Sequence, residues 1–248
     1  MQKGPTMPSN TLTSRFETFH ASAYRDDLET RSQLSQDQRF AVIIAGLSSL
    51  PLNGDQLASE WSKLLEQGCD LKLAEDTIIQ MAAYIGFPRA RQCLAVLEGA
   101  LNACGRDGYI AERSAAERSA EARHERGVSV YRQLNPHALG NINAAFGEIA
   151  GDVVERTFLS FGDVYALSEQ TLVIQQFATI AALGTLGCAA PQLRFHIGAG
   201  LNVGITQEQI VETIAWVQFF AGAPAAYNAL TELKAAIAAG TGATPGYQ

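Results

Sequence analysis

The chain has 248 residues, 47% of them hydrophobic, enough for one large domain or two small ones whose core needs neither disulfides nor a structural metal. With 25 acidic against 18 basic side chains the formal charge is −7, which disfavours nucleic acid or an anionic membrane as the main partner. Cys69, Cys93, Cys104 and Cys188 are scattered without a Cys-x-x-Cys pair, so reduced thiols in a cytoplasmic setting are expected, and no uninterrupted apolar run reaches the roughly 18 to 20 residues of a membrane span.

In chain order, residues 1–11, opening MQKGPTMPSN, read as a polar flexible arm that lacks the apolar run of a signal peptide. Residues 12–105 form a first helical unit. Its Leu34-Ser35 supplies a serine N-cap with acid and amide side chains in the first turn, followed by about four turns rich in Ala, Ile and Leu. Gly86-Phe87-Pro88 ends one helix and starts the next, with proline in the first turn. Residues 106–126, within RDGYIAERSAAERSAEARHERG, read as a charged helical connector, with an arm lying on a neighbouring subunit as the alternative.

Residues 127–240 form a second unit, and 241–248 a tail. Leu167-Ser168 is expected to cap its first long helix as Leu34-Ser35 does. A helix over Gln192 to Leu201 then ends at Asn202 and Gly204. Thr206 with Gln209 forms a Thr-x-x-Gln capping box, and IVETIAWVQFFAGAP, apolar on nearly all faces, is expected to be a central core helix that ends at Gly222-Ala223-Pro224. No segment alternates with period two, so the fold class is all-α.

The two units repeat. Shifted by 136 positions, Gln56, Leu57, Gly68, Thr77, Ile78, Gly86 and Pro88 fall on Gln192, Leu193, Gly204, Thr213, Ile214, Gly222 and Pro224. Upstream, LSQDQRFAVIIAGLSSL matches LSEQTLVIQQFATIAAL at a shift of 133, which places three extra residues of the second copy in the loop before Pro191. Nearly all-apolar helices in both copies suggest packing of the repeats on each other and on further chains of a symmetric homo-oligomer.

The stretch GDVYALSEQTLVIQQFATIAALGTLGCAAPQLRFHIGAGLNVGITQEQIVETIAWVQFFAGAPAAYNAL resembles the carboxymuconolactone decarboxylase family. Members of that family share an all-helical fold, and one helix carries a Leu-x-x-His segment followed by Ala-Leu-Asn-x-Gly. The likeness runs from about Glu121 to Gly240 and includes Gly127, Arg132 and a Gly162-Asp163-Val164-Tyr165 turn; residues 12–105 resemble a more diverged member. The resemblance thus implies a tandem protein of the alkyl hydroperoxidase D-like fold, and a trimer of such chains would reproduce the six-unit ring of the single-repeat decarboxylases.

Two activities follow from the resemblance. The peroxidase branch uses Cys-x-x-Cys-x-x-x-His; here the thiol positions hold Ala189 and Gln192 before His196, and Asn53 and Gln56 before Glu60, while Val173 and Phe40 stand for the upstream glutamate. A peroxide-reducing enzyme is therefore the weakest reading. The decarboxylase branch needs no metal and no organic cofactor, because a carboxylated butenolide supplies its own electron sink when carbon dioxide leaves. The protein must shelter the carboxylate, place a donor on the lactone carbonyl and protonate one carbon. An imidazole in its ordinary range can be that acid, which makes His196 the candidate proton donor and Asp163 its candidate orienter.

Gln192, Arg194, Arg39 and Glu60 are the candidate substrate-binding residues. Arg39 occupies the place of a carboxylate-clamping arginine in the first copy, where the second copy has Leu172; Glu60 replaces the histidine. The leading expectation is a cofactor-independent lyase acting on a small carboxylated lactone or enolisable acid. The alternative is a non-catalytic oligomeric scaffold or small-molecule binding protein.

Overall fold

A computed structural model describes residues 11–106 and 116–240, and these are helical with no strand among them. The expected arm (save Thr11), the tail and the middle of the expected connector lie outside the described residues. Connector residues 116–119 are not helical, and Ala120 onward belongs to the next helix. No helix among the described residues is long and apolar enough to cross a membrane.

The first half comprises α1 (Leu12–Phe16), a π-helical turn (Glu17–Ala21), α2 (Ser22–Glu29), α3 (Gln36–Ser49), α4 (Gly54–Glu66), α5 (Leu71–Ile85) and α6 (Phe87–Ala103). The second comprises α7 (Ala120–Leu134), α8 (Ala138–Val164), α9 (Leu172–Leu186), α10 (Ala190–Asn202) and α11 (Gln207–Ala239). Helix α8 is bent at Ala150, and α11 at Gly222, whose φ of 82° an L side chain rarely adopts. Gly86, at φ 81°, makes the equivalent break between α5 and α6. Helices α3, α4 and α5 begin 136 positions before α9, α10 and α11 respectively.

Helices α3 and α9 pack against each other at the centre. Gln175 through Thr185 of α9 are all buried, as are Phe40 through Ser48 of α3. A helix sheathed on every side needs this near-continuous apolar sequence, and each fully buried Leu, Ile or Phe contributes roughly 1.5–3 kcal/mol. The stretch from Ile210 to Pro224, expected at the centre, forms the first half of α11 and flanks α9: Ile210, Ile214 and Trp216 are buried, but Val211 is 40% exposed. A second cluster, built from Val128, Tyr131, Leu134, Phe158, Phe161 and Tyr165, lies between α7 and α8 and reaches Phe195 and Ala199 of α10.

The caps correct one alignment. Ser35 caps α3 with a complete capping box, but the cap of α9 is Thr171, whose Oγ1 accepts from Ile174 N–H, and not Ser168. Ser168 is drawn away because its Oγ donates to the buried Asp76 of α5 at 3.1 Å. The three extra residues of the second half therefore precede α9 and do not lie in the loop before Pro191.

The halves are pinned reciprocally. Asp76 also accepts from the backbone N–H of Glu169 at 3.1 Å, and Glu212 of α11 accepts from the backbone N–H of Gln33 at 2.9 Å. Each buried acid thus fixes the segment that enters the other half's central helix. A hydrogen bond to a charged acceptor is worth roughly 1.5–3 kcal/mol, so Asp76→Ala and Glu212→Ala should each lower the urea unfolding free energy by about 2 kcal/mol. A loss below about 0.5 kcal/mol would show that the pins are idle.

Candidate functional site

Helix α10 opens with Pro191 in its first turn, where a missing N–H costs nothing, and its next turn carries His196 into the seam between the two clusters. The imidazole is 3% exposed. Its Nδ1 lies 2.8 Å from Oε1 of Gln176 on α9, and its Nε2 lies 3.2 Å from the hydroxyl of Tyr84 on α5. Aromatic rings enclose it: Phe195 and Tyr84 meet it edge to face with centroids 4.9 and 5.4 Å away, and Phe161 stacks at 6.4 Å.

The hydrogen bonds continue beyond the imidazole. Tyr84 bonds the hydroxyl of Tyr165, the C-cap of α8, and Tyr165 in turn lies 2.6 Å from Oγ1 of Thr179. Gln80 Nε2 donates to Thr179 Oγ1 and to the Gln175 carbonyl, both at 2.8 Å, while Gln175 Nε2 donates to the Tyr165 carbonyl at 3.0 Å. Gln80, Tyr165, Gln175, Gln176 and Thr179 are all buried. Polar groups this deep are tolerated because most of them satisfy one another, although Oε1 of Gln175 and Nε2 of Gln176 have no partner.

Burial dominates the chemistry of the cluster. It pushes the His196 pKa down to about 3, because a charged ring there would lose its hydration without gaining a counter-ion. It also raises Tyr84 well above the ordinary phenol value and lifts Tyr165 to about 12. At neutral pH the imidazole is uncharged and both phenols keep their protons. The expectation that His196 sits in its ordinary range as an acid is thereby corrected: desolvation removes the imidazolium.

Of the six residues singled out from the sequence, only His196 belongs to this cluster. Asp163 lies in the last turn of α8, not in a free turn, and its carboxylate is gripped by Arg123, with Nε at 2.9 and 3.0 Å from the two oxygens and Arg126 3.9 Å away. The orienting contact to His196 comes from Gln176 instead. Gln192 is exposed. Arg194 donates to Glu232 at 2.6 Å, and Arg39 donates to the carbonyls of Glu29 and Arg31 at 2.8 and 2.7 Å, closing the end of α2 onto α3.

Glu60 accepts from Arg25 at 2.7 Å and from Lys63 at 2.6 Å. Glu60 answers to His196 at the 136-position interval, and upstream of the three extra residues, where the interval is 133, Arg25 answers to Phe158. The first half therefore places an ion cluster around Glu60 where the second has its imidazole. The residues that sequence reasoning passed over carry one signal: Gln80, Gln175, Gln176 and Thr179 are polar residues inside helices otherwise sheathed in apolar ones.

Other features of the described residues lie apart from His196. An open groove of about 420 Å³ is lined by Arg31, Ser32, Gln33, Gln207, Glu208, Val211 and Glu212. All four cysteines are free; Cys69 and Cys93 are buried, and burial lifts the Cys69 thiol to about 12. Cys104 and Cys188 are exposed.

Residues 157–235 match the model of the carboxymuconolactone decarboxylase family. The matched span contains His196, Gln176, Tyr165 and Thr179 and excludes Tyr84 and Gln80. No curated protein matches the chain.

Proposed function

From the match of residues 157–235 to the carboxymuconolactone decarboxylase family model, we propose that the chain is a tandem, cofactor-independent lyase that removes carbon dioxide from a small carboxylated lactone or related enolisable acid. The observation that carries this reading is the continuous buried hydrogen-bond chain Gln176, His196, Tyr84, Tyr165, which lies in and beside the family segment and draws one phenol from each half. The even spacing of helix starts across the halves and the reciprocal pins support the tandem reading.

Such chemistry asks for a dry setting, protons held ready and a neutral donor, since the departing carboxylate leaves its electron pair in the substrate's own unsaturated ring. A neutral imidazole with one N–H and one lone pair can relay or hold a proton without becoming an acid of the imidazolium kind. Asp163, Arg194, Arg39 and Glu60 serve this reading as structural ion pairs and clamps. The thiol peroxidase reading finds no support in Ala189 and Gln192.

The test is carbon dioxide release from carboxymuconolactone and related lactone acids by the wild type and by His196→Ala. Turnover should fall by about 100-fold or more in the variant; equal turnover would remove His196 from the mechanism. One observation favours a second reading, a non-catalytic oligomeric scaffold or binding protein: the imidazole is sealed, and both of its nitrogens are engaged. That reading predicts no turnover by the wild type and a lowered melting temperature for His196→Ala. We propose further that three chains assemble into a ring of six units, which light scattering of the purified protein would show or refute.

A further inference from the structure

We propose that Tyr84, a residue of the first half, is the group that delivers the proton to the substrate, and that His196 and Tyr165 are positioning residues that stabilise its conjugate base. This assignment rests on the lyase reading above. Three observations carry it.

The first is access. Gln176, Thr179, Gln80, Tyr165 and His196 are between 0% and 3% exposed, whereas Tyr84 is the partly exposed residue of this hydrogen-bonded cluster. The cluster thus meets the surface at Tyr84, whose hydroxyl itself is turned inward onto Tyr165 and His196, so a substrate must displace one of these contacts to reach it.

The second is the placement of its oxygen between two potential donors. The Tyr84 hydroxyl has one proton and two polar neighbours, Nε2 of His196 at 3.2 Å and the hydroxyl of Tyr165. When Tyr84 gives its proton away, the oxygen left behind faces the Tyr165 hydroxyl, whose proton can turn to it from Thr179 Oγ1, and, in the tautomer protonated on Nε2, the imidazole N–H. Two donors converging on a developing oxyanion in a water-poor site are the arrangement that stabilises it.

The third is that this tautomer is available. Nδ1 of His196 must then accept a hydrogen bond from Gln176. The amide nitrogen of Gln176 has no partner of its own, so turning the amide over presents N–H to Nδ1 in place of the carbonyl.

The step balances without any other reagent. The bond between the ring carbon and the carboxylate carbon breaks, carbon dioxide departs, and the electron pair delocalises into the unsaturated lactone as a dienolate. As the new C–H bond forms, the Tyr84 O–H bond breaks, and the phenolate then takes a proton from water. One water proton is consumed for each carbon dioxide released. Burial holds the Tyr84 phenol above its ordinary range, so the proton is in place throughout the neutral region.

Tyr84→Phe removes one oxygen and keeps the ring. With carboxymuconolactone as the probe, its kcat should fall by about 100-fold or more while KM stays within about threefold, the range of a lost general acid. Tyr165→Phe, which withdraws one donor from the phenolate, should move the alkaline limb of the kcat profile to higher pH; a merely structural residue would leave that limb in place. The titratable groups around the Tyr84 oxygen are His196, Tyr165 and, further out, Tyr131.

Turnover by Tyr84→Phe within about threefold of an active wild type overturns the assignment and leaves the lyase reading standing. Absence of carbon dioxide release by the wild type with every acid tried overturns both. If circular dichroism shows that Tyr84→Phe is unfolded, the Tyr165→Phe profile decides, and an unmoved alkaline limb overturns the proposal.

Discussion

Gly127→Ala and Gly162→Ala are expected to be the most damaging single-methyl additions in the described chain, each lowering the unfolding free energy by about 3 kcal/mol or more. A Cβ at Gly127 would lie 1.8 Å from the carbonyl oxygen of Phe158, and one at Gly162 would lie 2.0 Å from that of Arg123. Both obstacles are backbone, which no rotamer change can move aside. Helices α7 and α8 touch main chain to main chain here, and the added methyl would force them apart. The separation would pull Tyr131 from its contacts with Phe158 and Phe161, at 5.3 and 4.7 Å between ring centroids, and would shift Tyr165 at the end of α8. Gly140→Ala is the control, since nothing lies within 4 Å of a Cβ there. Denaturant unfolding of the three variants checks the claim; a loss at Gly127 no larger than at Gly140 would refute it.

Acidification should weaken the fold through His196. The unfolded chain protonates this ring near pH 6.5, its unperturbed value, whereas the folded chain resists protonation until about pH 3. Between those limits the unfolded state binds more protons, so the stability contributed by the neutral ring is complete above about pH 6.5 and declines as pH falls. At about 1.4 kcal/mol for each pH unit, wild type should lose about 2.5 kcal/mol from this group between pH 6.5 and 4.5. His196→Gln, which keeps a polar side chain at the position and does not titrate, should be free of that part of the loss. Urea titrations of both proteins at several pH values supply the comparison. Every other ionisable group is common to both proteins, so a difference between the two that does not change with pH would show that the ring is not held neutral.

The same burial explains why the site was only partly legible. The segment PQLRFHIGAGLNVG announced a helix, and its resemblance singled out His196, but sequence could not say what the ring would touch. Gln176 lies 20 positions and Tyr84 112 positions from His196, and such distant partners leave no local pattern. Asp163 looked like an orienter because it is an acid near the histidine segment in the family pattern; Arg123, 40 residues upstream, captures it through two oxygens. Arg39 and Glu60 looked like binding groups because, by the resemblance, they stand where a carboxylate-clamping arginine and the histidine are expected. Both are engaged by partners supplied from α2 and, for Glu60, also by Lys63 one turn along α4. The Ser168 cap failed for a related reason, since a buried acid from the other half competed for its hydroxyl.

By itself the sequence determined what short-range physics controls: helices set by apolar content and by caps at Ser35 and Thr206, breaks at Gly86 and Gly222 where φ is positive, and an interval of 136 residues between matching features. These depend on neighbours a few residues apart, and so survive in the linear string. Tertiary structure alone decided which polar side chains meet, because hydrogen bonds form between groups that packing brings within about 3 Å regardless of separation along the chain. It decided that α3 and α9 are the centre, that the imidazole is uncharged, and that a phenol from the first half completes the cluster around a histidine of the second.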